Sequence, residues 1–388
     1  MRLNVHDPRG YPFGSGIEGR AVRALGPTFK RAALAAVLVA ALTAVGCATM
    51  PSGDSPTGPR TYHVDIGYEN AKEGVEAEAF FPDGLTVNAG DTVIFTLRSH
   101  EPHTVTFNAP KPVPEPFMPN ADRSVEANPV LFFPAPMPMF PPNPQALVKL
   151  AVSFDGSGFV NSGFIRNPGD TLSVKFSTPG VYQVLCLVHF EHMKGTITVN
   201  AAGTARPKTD AEYRTVAEAQ IADFIVRADG DLAGIEVPPP AENADGSYTY
   251  TVLAGWGDAP NSVDLMRFCG GENLKIKAGD TVSFLMGKND QRVPHTVTFN
   301  SGSKEPEFVV PQMRFLAPPR LFVNPVVLKP SPLPPAPYAG TGYYNSGLMI
   351  TGGPTSQSYN VTFAKSGKFE YMCVIHDDDG MKGTITVQ

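Results

Sequence analysis

Three words recur about half a chain apart, and together they fix how the 388 residues must be divided. AGDTV, PHTVTFN and MKGTITV stand at Ala89–Val93, Pro102–Asn108 and Met193–Val199, then again at Ala278–Val282, Pro294–Asn300 and Met381–Val387. Such a repeat means two copies of one structural unit, each of ordinary domain size. The words are rich in β-branched residues, and neighbouring runs such as TVIFTL and LSVKF are bounded by turn residues. With 39 prolines and 37 glycines, a mainly helical chain is excluded and the fold class is all-β.

The repeat places one domain at 60–200 and the other at 246–388, with a linker at 201–245. Within the linker, Thr209-Asp210-Ala211-Glu212 reads as a capping box. Tyr213, Val216, Ala217, Ile221, Phe224 and Ile225 follow at helical spacing, so a helix is expected over 210–228, stopped by Gly230. Its apolar stripe suits a brace against one or both domains. Each domain also holds a proline-rich tract, Pro110–Pro144 and Pro306–Pro337, followed by a shared Asn-Ser-Gly at Asn161–Gly163 and Asn345–Gly347. Proline cannot donate to a sheet, so these tracts read as ordered loops or edges. Met118, Met137 and Met139 in the first tract read as apolar packing of a long loop, with a thioether Cu(I) site as the sharper alternative.

The first 46 residues read as a targeting segment. Arg20, Arg23, Lys30 and Arg31 precede an apolar run, Ala32–Gly46, too short to span a bilayer comfortably. The run ends in Ala44-Val45-Gly46-Cys47, which resembles a bacterial lipoprotein signal with Cys47 as the lipidated residue. Export to the periplasm or cell exterior and a lipid anchor in a bacterial membrane follow as expectations. Residues 1–46 carry a net +4 of the chain's −6, so the mature protein is about −10. That acidic balance does not suggest nucleic acid or anionic lipid as partners and favours a locally basic protein.

The repeated words surround the residues that carry chemistry. Each copy has one histidine after a proline, His103 or His295. Far downstream lies a compact loop, Cys186-x2-His189-x3-Met193 or Cys373-x2-His376-x4-Met381. Two imidazoles, one thiolate and one thioether suit a soft metal, and copper above all; zinc sites rarely use thioether. Cys186 and Cys373 occupy equivalent places, so a bridge between them would destroy both sites at once. Cys269 aligns near Phe81 and reads as a buried apolar residue without chemistry.

Both halves resemble cupredoxins, the plastocyanin-like type 1 (blue) copper domains. The Gly-Asp-Thr-Val strand ahead of the first histidine and the Cys373-x2-His376-x4-Met381 loop carry that resemblance. It implies two Greek-key β-sandwiches or barrels and two type 1 copper ions per chain. One would be held by His103, Cys186, His189 and axial Met193, the other by His295, Cys373, His376 and axial Met381. The first loop is one residue short and places His192 beside Met193, so the two centres should differ.

The expected role is extracytoplasmic electron transfer, cycling Cu(I) and Cu(II), with redox partners such as a c-type cytochrome or a membrane oxidoreductase. His189 and His376 are expected to lie nearest solvent, and Asp377, Asp378 and Asp379 to form a docking patch. The alternatives are a copper-dependent oxidoreductase, oxidase or nitrite-reductase-like, and a copper buffering or delivery protein. Copper enzymes of this kind usually place a histidine directly before the type 1 cysteine; here Leu185 and Met372 stand there. Outside the two ligand sets and the signal, only His63, His100 and His192 remain, too few for a trinuclear cluster.

Overall fold

The computed structural model describes residues 58–136, 147–288, 293–300, 302–315, 317–331, 337–338, 340–350 and 358–388. Cys47, the signal, Met137 and Met139 lie outside the described residues. Among the described residues, no helix is long and apolar enough to cross a membrane.

Alternation of buried and solvent-facing residues builds each half. In Thr92–Leu97, Val93 and Phe95 are fully buried while Thr92 and Ile94 are less so. This strand pairs in parallel with Thr61–Asn70 and antiparallel with Thr171–Phe176, and Val75–Phe81 flanks the other side of Thr61–Asn70. A second sheet runs through Gly84–Asn88, Lys194–Asn200, Gly180–Leu185, Thr106–Phe107 and Val160–Asn161. Phe95, Phe107, Phe154 and Phe176 fill the space between the sheets in one core. Each such phenylalanine contributes about 1.5–3 kcal/mol by leaving water. The second half repeats the arrangement, with Tyr248–Asp258, Val263–Cys269, Thr281–Met286 and Ser358–Thr362 in one layer. Asn273–Ile276, Lys382–Val387, Gly367–Met372, Thr298–Phe299 and Tyr344–Asn345 form the other. The protein is mostly β, built as two sandwiches.

The halves are joined by hydrogen-bonded strands as well as by chain. Val263–Cys269 pairs antiparallel with Val75–Phe81 (Val263 opposite Ala77, Asp264 opposite Glu76, Leu265 opposite Val75), which merges two sheets into one of ten strands. The linker helix lies over this joint. Phe224, fully buried, shares a core with Val75, Ala77, Phe81, Val263 and Leu265, and Tyr213 enters the first core. The capping box forms: Thr209 N–H donates to Glu212 Oε2 at 2.6 Å and Glu212 N–H to Thr209 Oγ1 at 3.3 Å. The helix runs Asp210–Gly234, past the expected stop at Gly230. That glycine faces open space, so it costs the helix only its poor propensity, about 1 kcal/mol.

The proline-rich tracts do more than make loops. Phe117–Pro119 and Val125–Ala127 from the first tract join Val309–Arg314 and Ala317–Val323 from the second in a four-stranded antiparallel sheet. Phe322 stands opposite Glu126, and Arg320 Nε donates to Glu126 Oε1 at 2.7 Å. The two copies are thus tied at a second place, above the copper-loop end.

Candidate metal centres

In each half the first histidine and the cysteine loop meet in the core. His103 Nδ1 and His189 Nδ1 are 3.1 Å apart, and Cys186 Sγ lies 3.8 and 3.7 Å from them. In the second half His295 Nδ1 and His376 Nδ1 are also 3.1 Å apart, and Cys373 Sγ is 3.5 Å from His376 Nδ1. Three donors converging at this spacing fit one ion that binds imidazole nitrogen at about 2.0–2.1 Å. All six residues are buried.

Met193 and Met381 are fully buried in the same cores as Cys186 and Cys373. Each closes its loop identically at the base: Cys186 N–H donates to Met193 O at 3.1 Å and Cys373 N–H to Met381 O at 3.0 Å. The length difference is absorbed inside the loop, where Met193 N–H reaches back four residues to His189 O and Met381 N–H five to His376 O. His192 is turned away, its Nε2 against Glu78 Oε2.

The repeated PHTVTFN word holds the thiolate. Thr104 N–H donates to Cys186 Sγ and Thr296 N–H to Cys373 Sγ, both at 3.3 Å. The threonine hydroxyls accept from Leu187 N–H at 2.7 Å and Val374 N–H at 2.9 Å. Behind them Thr106 and Thr298 donate to Asn161 and Asn345, whose amides bind the carbonyls of Leu131 and Val327. The shared Asn-Ser-Gly is therefore a buttress: Ser162 and Ser346 accept from Val105 N–H and Val297 N–H at 2.8 Å. Burial opposes ionisation of both thiols, but the facing imidazoles prevail. His189 and His103 hold Cys186 well below the usual thiol range, and His376 and His295 bring Cys373 down to about 5. A buried thiolate with two imidazole nitrogens and a thioether nearby fits copper.

Two expectations fail here. His189 and His376 are only 6% and 1% exposed, and acids of the first half lie over both: Glu78 and Glu101 against His189, and Glu101 against His376. Between their outward nitrogens sits Glu101, 3.4 Å from His189 Nε2 through one oxygen and 3.3 Å from His376 Nε2 through the other. Burial opposes its ionisation, and the two histidines overcome that and keep it ionised. The three aspartates also do not form a surface patch. Asp379 is buried and Asp377 pairs with Lys382 at 3.1 Å, which leaves Asp378 exposed.

Glu101 belongs to a group of acids at the joint that sequence reading missed. Glu78 lies 3.3 Å from His189 Nε2, and Glu76 lies 3.5 Å from His103 Nε2. Burial opposes ionisation of Glu78, and His189 and His192 prevail over it. Burial and the nearby Asp379 and Glu101 push Glu76 well up, as burial and Glu78 do Asp264. None of these acids falls in a repeated word, so only a register for the joint could have flagged them. Of the remaining histidines, His63 Nδ1 is 3.0 Å from Asp210 and His100 Nδ1 is 2.8 Å from Glu69. Cys186, Cys269 and Cys373 are all free thiols.

The sandwich fold and the paired imidazole–thiolate clusters define a cupredoxin. Residues 70–200 match the copper binding proteins of the plastocyanin/azurin family. Plastocyanin of Dryopteris crassirhizoma is 27% identical over 121 residues, 31% of this chain and 86% of the relative. Among solved structures, the oxidised plastocyanin of the same fern aligns at 24% identity and TM-score 0.20, covering 36% of this chain and 99% of that one. A Cu(I) form of an amicyanin variant aligns at 21% identity and TM-score 0.20, covering 39% of this chain and 97% of that one.

Proposed function

We propose that the protein is an extracytoplasmic electron carrier with two type 1 copper centres that exchange electrons across the joint between its halves. His103, Cys186, His189 and Met193 hold one ion; His295, Cys373, His376 and Met381 hold the other. The observation that carries this reading is Glu101, one buried carboxylate contacting the outward nitrogens of both loop histidines. Copper supplies a one-electron couple when bound.

The residues around it keep the geometry fixed between the two oxidation states. The thiolate is held by a backbone N–H, the loop is closed at its base, and the imidazoles are packed on all sides. The ion pairs at Glu101 turn both outward nitrogens towards one shared carboxylate, so the short route from one centre to the other runs through His189, Glu101 and His376. Partners such as a c-type cytochrome or a membrane oxidoreductase, and a lipid anchor through Cys47, belong to this proposal.

The test combines copper counting, spectroelectrochemistry and rapid partial reduction. Two copper ions per chain and intense thiolate-to-copper absorption that bleaches with reductant are expected. After partial reduction, electron redistribution between centres should slow at least about tenfold in Glu101→Gln. A colourless copper-loaded protein would sink the type 1 reading, and more than two redox-active copper ions or nitrite or oxygen turnover would move it to the enzymes. An unchanged redistribution rate in Glu101→Gln would remove the route while leaving the centres.

A further inference from the structure

The joint holds a third set of ligating groups, apart from both copper sites. Glu69 and His100 come from the first half and Asp379 from the second, and one ligand atom from each lies within 4.8 Å of the others. His100 Nδ1 is 2.8 and 3.0 Å from the two oxygens of Glu69. An ordinary ion pair would account for those two residues alone. It does not account for Asp379, which is 4% exposed and whose Oδ1 has no hydrogen-bond partner. A buried carboxylate oxygen without a partner is destabilising, which a cation would relieve.

Asp379 is also held in place. Gly380 has φ +92°, and a Cβ there would stand 2.1 Å from the carbonyl oxygen of Ala71, so this loop tip is seated directly on the first half's turn. Nearby, Glu76 is 1% exposed and neither of its oxygens has a hydrogen-bond partner. Asp379, Glu101 and Glu69 all act on Glu76 as like charges. The positive groups that act on Asp379 are the imidazoles of His376 and His100. A cavity of about 1000 Å³, lined by His100, His376, Asp378 and Asp379, gives an ion a way in.

We propose that Glu69, His100 and Asp379 form a third cation site that binds a borderline divalent ion of the Zn²⁺ type across the two halves. One imidazole and two carboxylates, with no thiolate, favour such an ion over Cu(I), and three protein donors leave a position for water. An ion there would tie the second half's copper loop to the first half. The site does not depend on the type of the copper centres.

The test titrates the copper-loaded full chain with Zn²⁺, following heat, metal content after desalting, and the copper absorption of the same sample. One zinc per chain beyond the copper is expected. Glu69→Gln and His100→Gln should each weaken that binding at least tenfold with the copper absorption unchanged, which also shows that the variants are folded. No zinc bound by the wild type, or equal binding by wild type and His100→Gln, overturns the proposal. Loss of copper absorption reports on the other two sites, so the failures are distinguishable.

Discussion

The two halves hold the same donors at nearly the same spacings, yet what stands behind those donors differs. The strands Val75-Glu76-Ala77-Glu78 and Val263-Asp264-Leu265-Met266 align residue for residue. In the first half Glu78 reaches His189, while Met266 occupies the equivalent place in the second. His103 Nε2 has Glu76 at 3.5 Å, whereas His295 Nε2 is roofed by Gly255, where a Cβ would lie only 2.0 Å away. The candidate ligands are the same in both halves, but acids crowd the first centre more closely than the second.

The largest effect that tests this contrast is steric. Gly255 and Gly67 both have positive φ, +73° and +68°, so alanine at either position is strained by roughly 1–2 kcal/mol before any clash. At Gly255 the new methyl strikes the imidazole itself, and Gly255→Ala should empty the second centre, seen as loss of about half the copper and its absorption. At Gly67 the nearest atom is Ser99 Oγ at 2.5 Å, with His103 Nε2 at 3.0 Å, and a hydroxyl can rotate away. Gly67→Ala should therefore keep its copper. Equal copper loss in the two variants would show that the roofs are equivalent.

A smaller effect is electrostatic. An ionised carboxylate beside a ligand imidazole favours the more positive Cu(II), so the first centre should have the lower potential. One charge within several ångströms at an effective dielectric near 20 is worth about 2 kcal/mol, or on the order of 100 mV for one electron. Glu78→Gln should raise the first potential by about that much and leave the second in place. Equal shifts at both centres would place Glu78 outside the asymmetry.

The smallest concerns the third cysteine. Cys269 replaces Phe81 in the alignment, is 6% exposed, and has its thiol pushed up to about 11, by burial first and then by Glu272. Below that pH it stays protonated, so the native protein should resist iodoacetamide at pH 8 and react after unfolding, as read by mass spectrometry. Labelling at the rate of a free thiol in the native state would show an open site.

The sequence made some of this legible and hid the rest for physical reasons. Cys186, Cys373, their histidines and both methionines stand in or beside repeated words, because the local loop must carry them. Thr104 and Thr296 lay within those words too, though their hold on sulfur became visible only in the fold. The helix over the joint was announced by Thr209 and Glu212, but its end was not, since an exposed Gly230 is a weak stop. Glu76, Glu78 and Glu101 gave no signal. Glu76 and Glu78 lie on the strand that pairs with one nearly 190 residues away, and Glu101 meets His376 from the other half, so no local pattern marks them. The proline tracts were read as edges, and their pairing with each other across the copies was not foreseeable from either alone.

That joint has a symmetry worth following. Val75 faces Leu265 and Ala77 faces Val263, while Glu76 faces its own counterpart Asp264, so a local two-fold axis passes between those two acids. This is the contact that two identical subunits make when they meet edge to edge. A dyad always brings like to like, so an acid on the axis must confront another acid, and burial and acidic neighbours push both Glu76 and Asp264 well up. In its architecture the chain is a homodimer written as one polypeptide. Because both halves are one polypeptide, equivalent positions can carry different residues, as Glu78 and Met266 do.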